Sequence, residues 1–166
     1  MVQGALAPKS PAARAATLQI GCQHDKMAQP FNGGYSMFQV ISTDKAPQAV
    51  GPYSQAVIAN GFVFLSGQIP LDPATGTIVD GSIADQTRRV LNNLSSVLKS
   101  VGTDLDAVVK TTVFMKDLGQ FDEMNKTYAE FFTGNKPARA TVEVSKLPKG
   151  ANIEIEAIAL IKDSPN

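Results

Sequence analysis

The sequence predicts an α+β domain in which a mixed β-sheet carries two helices on one of its faces. Three observations predict it: a long helical stripe of apolar residues that ends at Gly102, a shorter one between positions 118 and 132, and strand-like alternation before, between and after them. Strands, helix, strand, helix and two final strands are the resulting order.

Phe38 to Ile41 has the composition of a short strand, and Gly51, Pro52, Asn60 and Gly61 bracket a second segment with turn-forming residues. Phe62 to Ser66 follows as an apolar strand, closed by the loop GQIPLDPATG, so a hairpin or meander is expected. Ser82, with Asp85 three residues later, forms a capping box. Ile83, Val90, Leu91, Leu94, Val97, Leu98 and Val101 then recur at helical spacing until Gly102 ends the helix. Ala107 to Lys116 alternates and is rich in β-branched residues, the pattern of a strand.

A second helix is predicted from about Leu118 to Phe132, with Phe121, Met124, Tyr128, Phe131 and Phe132 on its buried face. Asn125 lies on the same stripe. A buried amide without partners costs roughly 1–3 kcal/mol, so Asn125 either ties down backbone or faces a ligand.

Two strands close the chain, joined by Leu147, Pro148, Lys149 and Gly150. In the first, Arg139, Thr141, Glu143 and Ser145 oppose Ala140, Val142 and Val144; in the second, Ile153, Ile155, Ala157 and Ala159 share the apolar side. The sheet face away from the helices then mixes Ile158 and Leu160 with Arg139, Glu154 and Glu156. Nothing in the chain remains to cover that face, so a partner subunit is expected. A hairpin turning near Pro148 pairs Glu154 with Glu143 and leaves Arg139 four residues away, about 13 Å at ~3.3 Å per residue. In that register Arg139 and Glu154 share a site only across a subunit boundary.

Composition limits the chemistry. Lys and Arg total 15 against 15 Asp and Glu, so no overall field attracts nucleic acid or an anionic membrane. The single Cys22 provides no internal disulfide and fits a reducing compartment, and no apolar run reaches the ~20 residues of a membrane span. A soluble, cytoplasmic protein is expected. With one His, His24, and one Cys, there is little for metal ligation or covalent catalysis, leaving Arg, carboxylates, hydroxyls, backbone amides and water. Residues 1–36 are Ala-rich, with Lys9, Arg14 and Lys26 against only Asp25, and lack periodicity. They read as an N-terminal extension preceding one domain at 37–166. The extension is a tail, an upstream addition before Met37, or a transit peptide that would direct the protein to mitochondria or another organelle.

GPYSQA at Gly51 to Ala56, SGQIP at Ser66 to Pro70, MNKTYAEFF from Met124, PARATVEV from Pro137, LPKG and IEIEAIA together resemble the RidA (YjgF-like) family of reactive-intermediate imine deaminases. The resemblance spans about Val40 to Leu160. It implies a chorismate-mutase-like fold, a homotrimer whose sheets face a central β-barrel, and active sites in the subunit interfaces. It also implies hydrolysis of 2-imino acids or their enamine tautomers, such as 2-iminobutanoate and 2-iminopropanoate, to 2-keto acids and ammonia, with no cofactor and no metal.

Under that resemblance Arg139 matches the residue that grips the substrate carboxylate, a task suited to a planar guanidinium. Glu154 matches the residue that holds and polarises the attacking water, and Tyr53 the tyrosine over the substrate. Ser66 and Gly67 match the backbone that receives the substrate's polar atoms, where glycine permits close approach. Asn125 matches a position near the pocket. Thr141 stands where many members have Cys; its hydroxyl still donates a hydrogen bond, but thiol chemistry is lost. Two other classes stay open: a family member that binds small carboxylates at the same clefts without turnover, and a ribonuclease or translation inhibitor, which the neutral charge and the position of His24 disfavour.

Overall fold

The structure, a computed structural model, describes residues 38–162. The expected N-terminal extension, with Cys22 and His24, lies outside the described residues. Strand β1 (Gln39–Ile41) pairs antiparallel with β2 (Ala56–Ala59), which turns directly into β3 (Phe62–Gln68). Asn60 and Gly61 make that turn with φ of 50° and 79°. Two consecutive left-handed residues match the twist of a hairpin, and Asn-Gly adopts them at the least steric cost.

Helix α1 (Ile83–Ser100) starts at the capping box read from the sequence. The Asp85 backbone N–H donates to Ser82 Oγ at 3.2 Å, and the Ser82 N–H donates to Asp85 Oδ2 at 3.1 Å. Gly102, at φ 76°, ends it, with its N–H bonded to the Lys99 carbonyl. Val90, Leu91, Leu94, Val97 and Leu98 are fully buried, each large side chain contributing about 1.5–3 kcal/mol relative to exposure. Strand β4 (Val108–Met115) follows, and a single 3-10 turn at Leu118–Gln120 leads into α2 (Phe121–Phe131). Met124, Tyr128 and Phe132 are buried, while Phe121 and Phe131 pack at the edge of the core.

The last strands, β5 (Ala138–Glu143) and β6 (Ile153–Leu160), complete a six-stranded sheet in the order β1-β2-β3-β6-β4-β5. Both helices cover one face, so the α+β class and the layering match the sequence reading. The expected closing hairpin does not form. Strand β5 runs parallel to β4 at the sheet edge, and β6 inserts between β3 and β4, antiparallel to both. The reason is local. The segment after β5 makes a 3-10 turn at Pro148–Gly150, with Lys149 at φ 54° and Gly150 at φ 72°, and carries the chain across β4 instead of folding it back. The fully buried Ile153, Ile155 and Ala159 of β6 also require a central position under the helices.

That topology corrects both the register and the face of one predicted site residue. Glu154 pairs with Phe114, not Glu143, and Arg139 pairs with Thr111. Since Thr111 is buried under α2, Arg139 projects on the helix side, and Ala138, Ala140 and Val142 take the opposite face. On that uncovered face Phe62, Phe64, Val142 and Leu160 are 38–43% exposed. Among the described residues no helix is long and apolar enough to cross a membrane.

Candidate active site

Register irregularity creates the first of two clefts. Leu65 pairs with Ala157 but Gln68 pairs with Ile155, so β3 holds one extra residue at Ser66 and Gly67. Such a bulge bends the strand and redirects its neighbours. Ser66 is tied down twice: its N–H donates to the Gln55 carbonyl at 3.0 Å, and its Oγ donates to the Ser54 carbonyl at 2.6 Å. Gly67 lies flat against Glu154 of the neighbouring strand. A Cβ at Gly67 would sit 2.8 Å from Glu154 Cδ and 3.0 Å from Cγ, so no side chain fits with the carboxylate where it stands.

Glu154 and Glu156 both reach a cavity of about 600 Å³, whose wall includes Tyr53, Ser66, Gly67 and Lys149. Burial pushes the Glu154 carboxyl above the ordinary glutamate pKa, and the like charge of Glu156 adds to the rise. Tyr53 is half-exposed over this cavity, with the Val50 N–H donating to its hydroxyl at 3.5 Å. Lys149 donates from Nζ to the Gly76 carbonyl at 3.4 Å. Four of the predicted site residues, Tyr53, Ser66, Gly67 and Glu154, therefore share one cleft.

Arg139 and Asn125 share another, of about 440 Å³, together with Tyr128, Phe132, Lys136 and Pro137. The Arg139 guanidinium lies 4.6 Å from the Tyr128 ring centroid and 5.7 Å from that of Phe121, and its Nη2 donates to Asn125 Oδ1 at 2.8 Å. Among the described residues no carboxylate lies within ion-pair distance of it. The amide on the apolar stripe of α2 thus ties down a cation. Tyr128 is itself fixed, its hydroxyl 2.7 Å from that of Thr111 and its ring stacked 4.4 Å from Phe132. Burial raises the pKa of that hydroxyl against the smaller lowering effects of Thr111 and Arg139, so it presents a neutral face to the cation.

The two clefts share no lining residue, and Arg139 and Glu154 project from opposite faces of the sheet. Thr141 lies on the Arg139 face, opposite Val113, and lines neither cleft. Sequence reasoning assigns no site role to Gln55, Lys149 or Tyr128. Gln55 and Lys149 lie inside recognised motifs, GPYSQA and LPKG, but their contacts depend on distant backbone. The helical spacing places Tyr128 in the core and says nothing of a cation beside it.

One cleft thus holds a cation on an aromatic platform, and the other a partly buried carboxylate. Residues 43–161 match the family described as endoribonuclease L-PSP. The chain is 55% identical over 123 residues to the RutC family protein PH0854 of Pyrococcus horikoshii, covering 74% of this chain and 98% of that one. It is 48% identical over 122 residues to human 2-iminobutanoate/2-iminopropanoate deaminase, covering 74% of this chain and 89% of the human protein. The fold superposes with a TM-score of 0.73 on Yersinia pestis YyfA, a protein of unknown function in the conserved Rid family, at 50% identity over 75% of this chain and 99% of that one. The chain belongs to the Rid (YjgF-like) family, which includes proteins named as imine deaminases.

Proposed function

We propose that the protein hydrolyses 2-imino acids such as 2-iminobutanoate and 2-iminopropanoate, or their enamine tautomers, to 2-keto acids and ammonia. The observation that carries this reading is the Arg139 guanidinium, braced by Asn125 and two aromatic rings yet lacking any carboxylate partner among the described residues. A cation so held is ready to accept a substrate carboxylate through paired hydrogen bonds. The name of the human relative supports the same chemistry.

The working site is a homotrimer interface, where the Arg139 cleft of one copy meets the Glu154 cleft of the next. The exposed Phe62, Phe64, Val142 and Leu160 supply an apolar face for that assembly, around a central barrel. Glu154 accepts a proton from water as the water oxygen bonds to the C=N carbon. The same carboxyl returns the proton to nitrogen to give a carbinolamine, then relays the remaining hydroxyl proton to the amine, so that the C–N bond breaks and ammonia leaves as the carbonyl forms. A carboxyl with a raised pKa serves these transfers better than an ordinary one. Tyr53 and the Ser66–Gly67 backbone line the space beside the reacting carbon, and Thr141, next but one to Arg139 on β5, borders the assembled site. No metal or cofactor takes part.

Release of 2-ketobutyrate from 2-iminobutyrate generated in situ tests the reading. Wild-type activity in an Arg139→Ala protein removes Arg139 from the mechanism. Sedimentation of a Phe64→Asp protein tests assembly: loss of trimer and turnover together is expected. The family description keeps a ribonuclease reading in view.

A further inference from the structure

We propose that Gln55 is a positioning residue for the Glu154 cleft: its buried side chain holds one wall and its backbone carbonyl the other. The inference rests on the deaminase reading for its kinetic consequences and on geometry for its structural ones. Gln55 is 2% exposed. Its Oε1 accepts from the Thr43 N–H at 2.6 Å, and its Nε2 donates to the carbonyls of Thr43 at 3.0 Å, Ala46 at 3.3 Å and Pro47 at 2.8 Å. The side-chain amide therefore pairs with the Thr43 backbone as a strand would, and shares its remaining donor capacity with the next turn of the loop.

That loop carries Pro47, Gln48 and Val50 to one wall of the cleft. The Gln55 carbonyl accepts from the Ser66 N–H at 3.0 Å and so holds the bulge that places Gly67 against Glu154, the other wall. The loop has few alternatives. Around the buried Ala46, Asp44, Lys45, Gln48 and Val50 are exposed and offer little apolar anchorage, so the Gln55 bonds, with one from Gln48 Nε2 to the Thr43 carbonyl at 2.8 Å, hold the loop in place. With the walls held, Glu154 stays partly dehydrated. The charged or titratable groups that share its cleft are Glu156 from the same strand, Lys149 from the preceding turn, and Tyr53; its β4 partner is the uncharged Phe114.

Gln55→Leu removes every side-chain hydrogen bond, and Gln55→Glu keeps the shape and the acceptor for Thr43 but loses the donors. In either variant kcat/KM should fall ~10- to 100-fold, since misplacement of about 1 Å at a reacting group is enough for such a loss. The carboxyl resonance of Glu154, assigned by its disappearance in Glu154→Gln, should titrate nearer the ordinary glutamate range in Gln55→Leu than in the unmodified protein. A residue that merely stabilised the fold would lower the melting temperature without moving that titration. Wild-type kcat, KM and Glu154 titration in Gln55→Leu overturn the proposal. So does rapid exchange of the Gln55 side-chain amide hydrogens in the unmodified protein, a measurement that stands even if neither variant folds. If the unmodified protein shows no deaminase activity, the titration and exchange readouts still decide the role of Gln55. A fully active Gln55→Leu protein refutes the positioning role and leaves the deaminase reading standing.

Discussion

The space that a side chain would occupy at Gly67 is already filled by the carboxylate of Glu154. The bulge in β3 brings the two together, and a residue with a Cβ there would have to displace the acid.

Gly67→Ala is therefore expected to separate stability from turnover. Glu154 can swing away, so the melting temperature should change little. The carboxylate no longer stands where the cleft requires it, and kcat should drop roughly tenfold or more. Steady-state kinetics beside thermal unfolding measures both, and a Gly67→Ala protein with unaltered kcat would detach Glu154's position from the chemistry.

Arg139→Lys keeps the charge but loses the planar fork and its stacking on Tyr128 and Phe121. Loss of one charged hydrogen bond is worth about 1.5–3 kcal/mol, so KM should rise roughly 10- to 100-fold. Asn125→Ala should raise KM less, because it frees the guanidinium without removing it. Equal KM values in all three proteins would count against a carboxylate-binding role.

Glu154 makes stability depend on pH with a definite sign. Its pKa is raised in the folded protein, so between the ordinary glutamate value and the raised one the folded state holds more protons than the unfolded state. Stability is then highest below that window and falls as pH rises through the folded pKa. Glu154→Gln should remove this fall and melt higher than wild type at neutral pH, while turning over poorly. A difference in melting temperature that does not change between acidic and neutral pH would contradict the burial effect.

The Thr111 and Tyr128 hydroxyls satisfy one another inside the protein at 2.7 Å. Thr111→Val leaves a buried phenol without that partner and should cost about 1–3 kcal/mol in urea unfolding. Tyr128→Phe should cost a similar amount. The double variant should recover much of the loss, since two apolar groups replace the pair. Strictly additive losses would show that the hydroxyls act independently.

Local physics made several features readable in the residues alone. The capping box at Ser82 and Asp85, the apolar stripe of α1, the Gly102 stop and the Asn60–Gly61 hairpin each depend on neighbours within a few positions, so their side-chain chemistry specified the backbone directly. Alternation along β6 likewise identified Ile153, Ile155, Ala157 and Ala159 as the buried side.

Strand partners are chosen over long separations, and there the sequence pattern ran out. Alternation in β5 grouped Arg139 with Thr141 and Glu143, but only pairing with β4 decided that this group faces the helices. Gln55 shows the same division: its motif was visible, yet its role came from carbonyls brought to it by the folded loop. By itself the sequence determined the helices, the Asn60–Gly61 turn, the α+β class and the inventory of charged groups, because those follow from side chains and their near neighbours. The tertiary structure alone decided that Arg139 and Glu154 project from opposite faces of the sheet, because strand order and register are fixed by which buried faces pack together across the whole sheet.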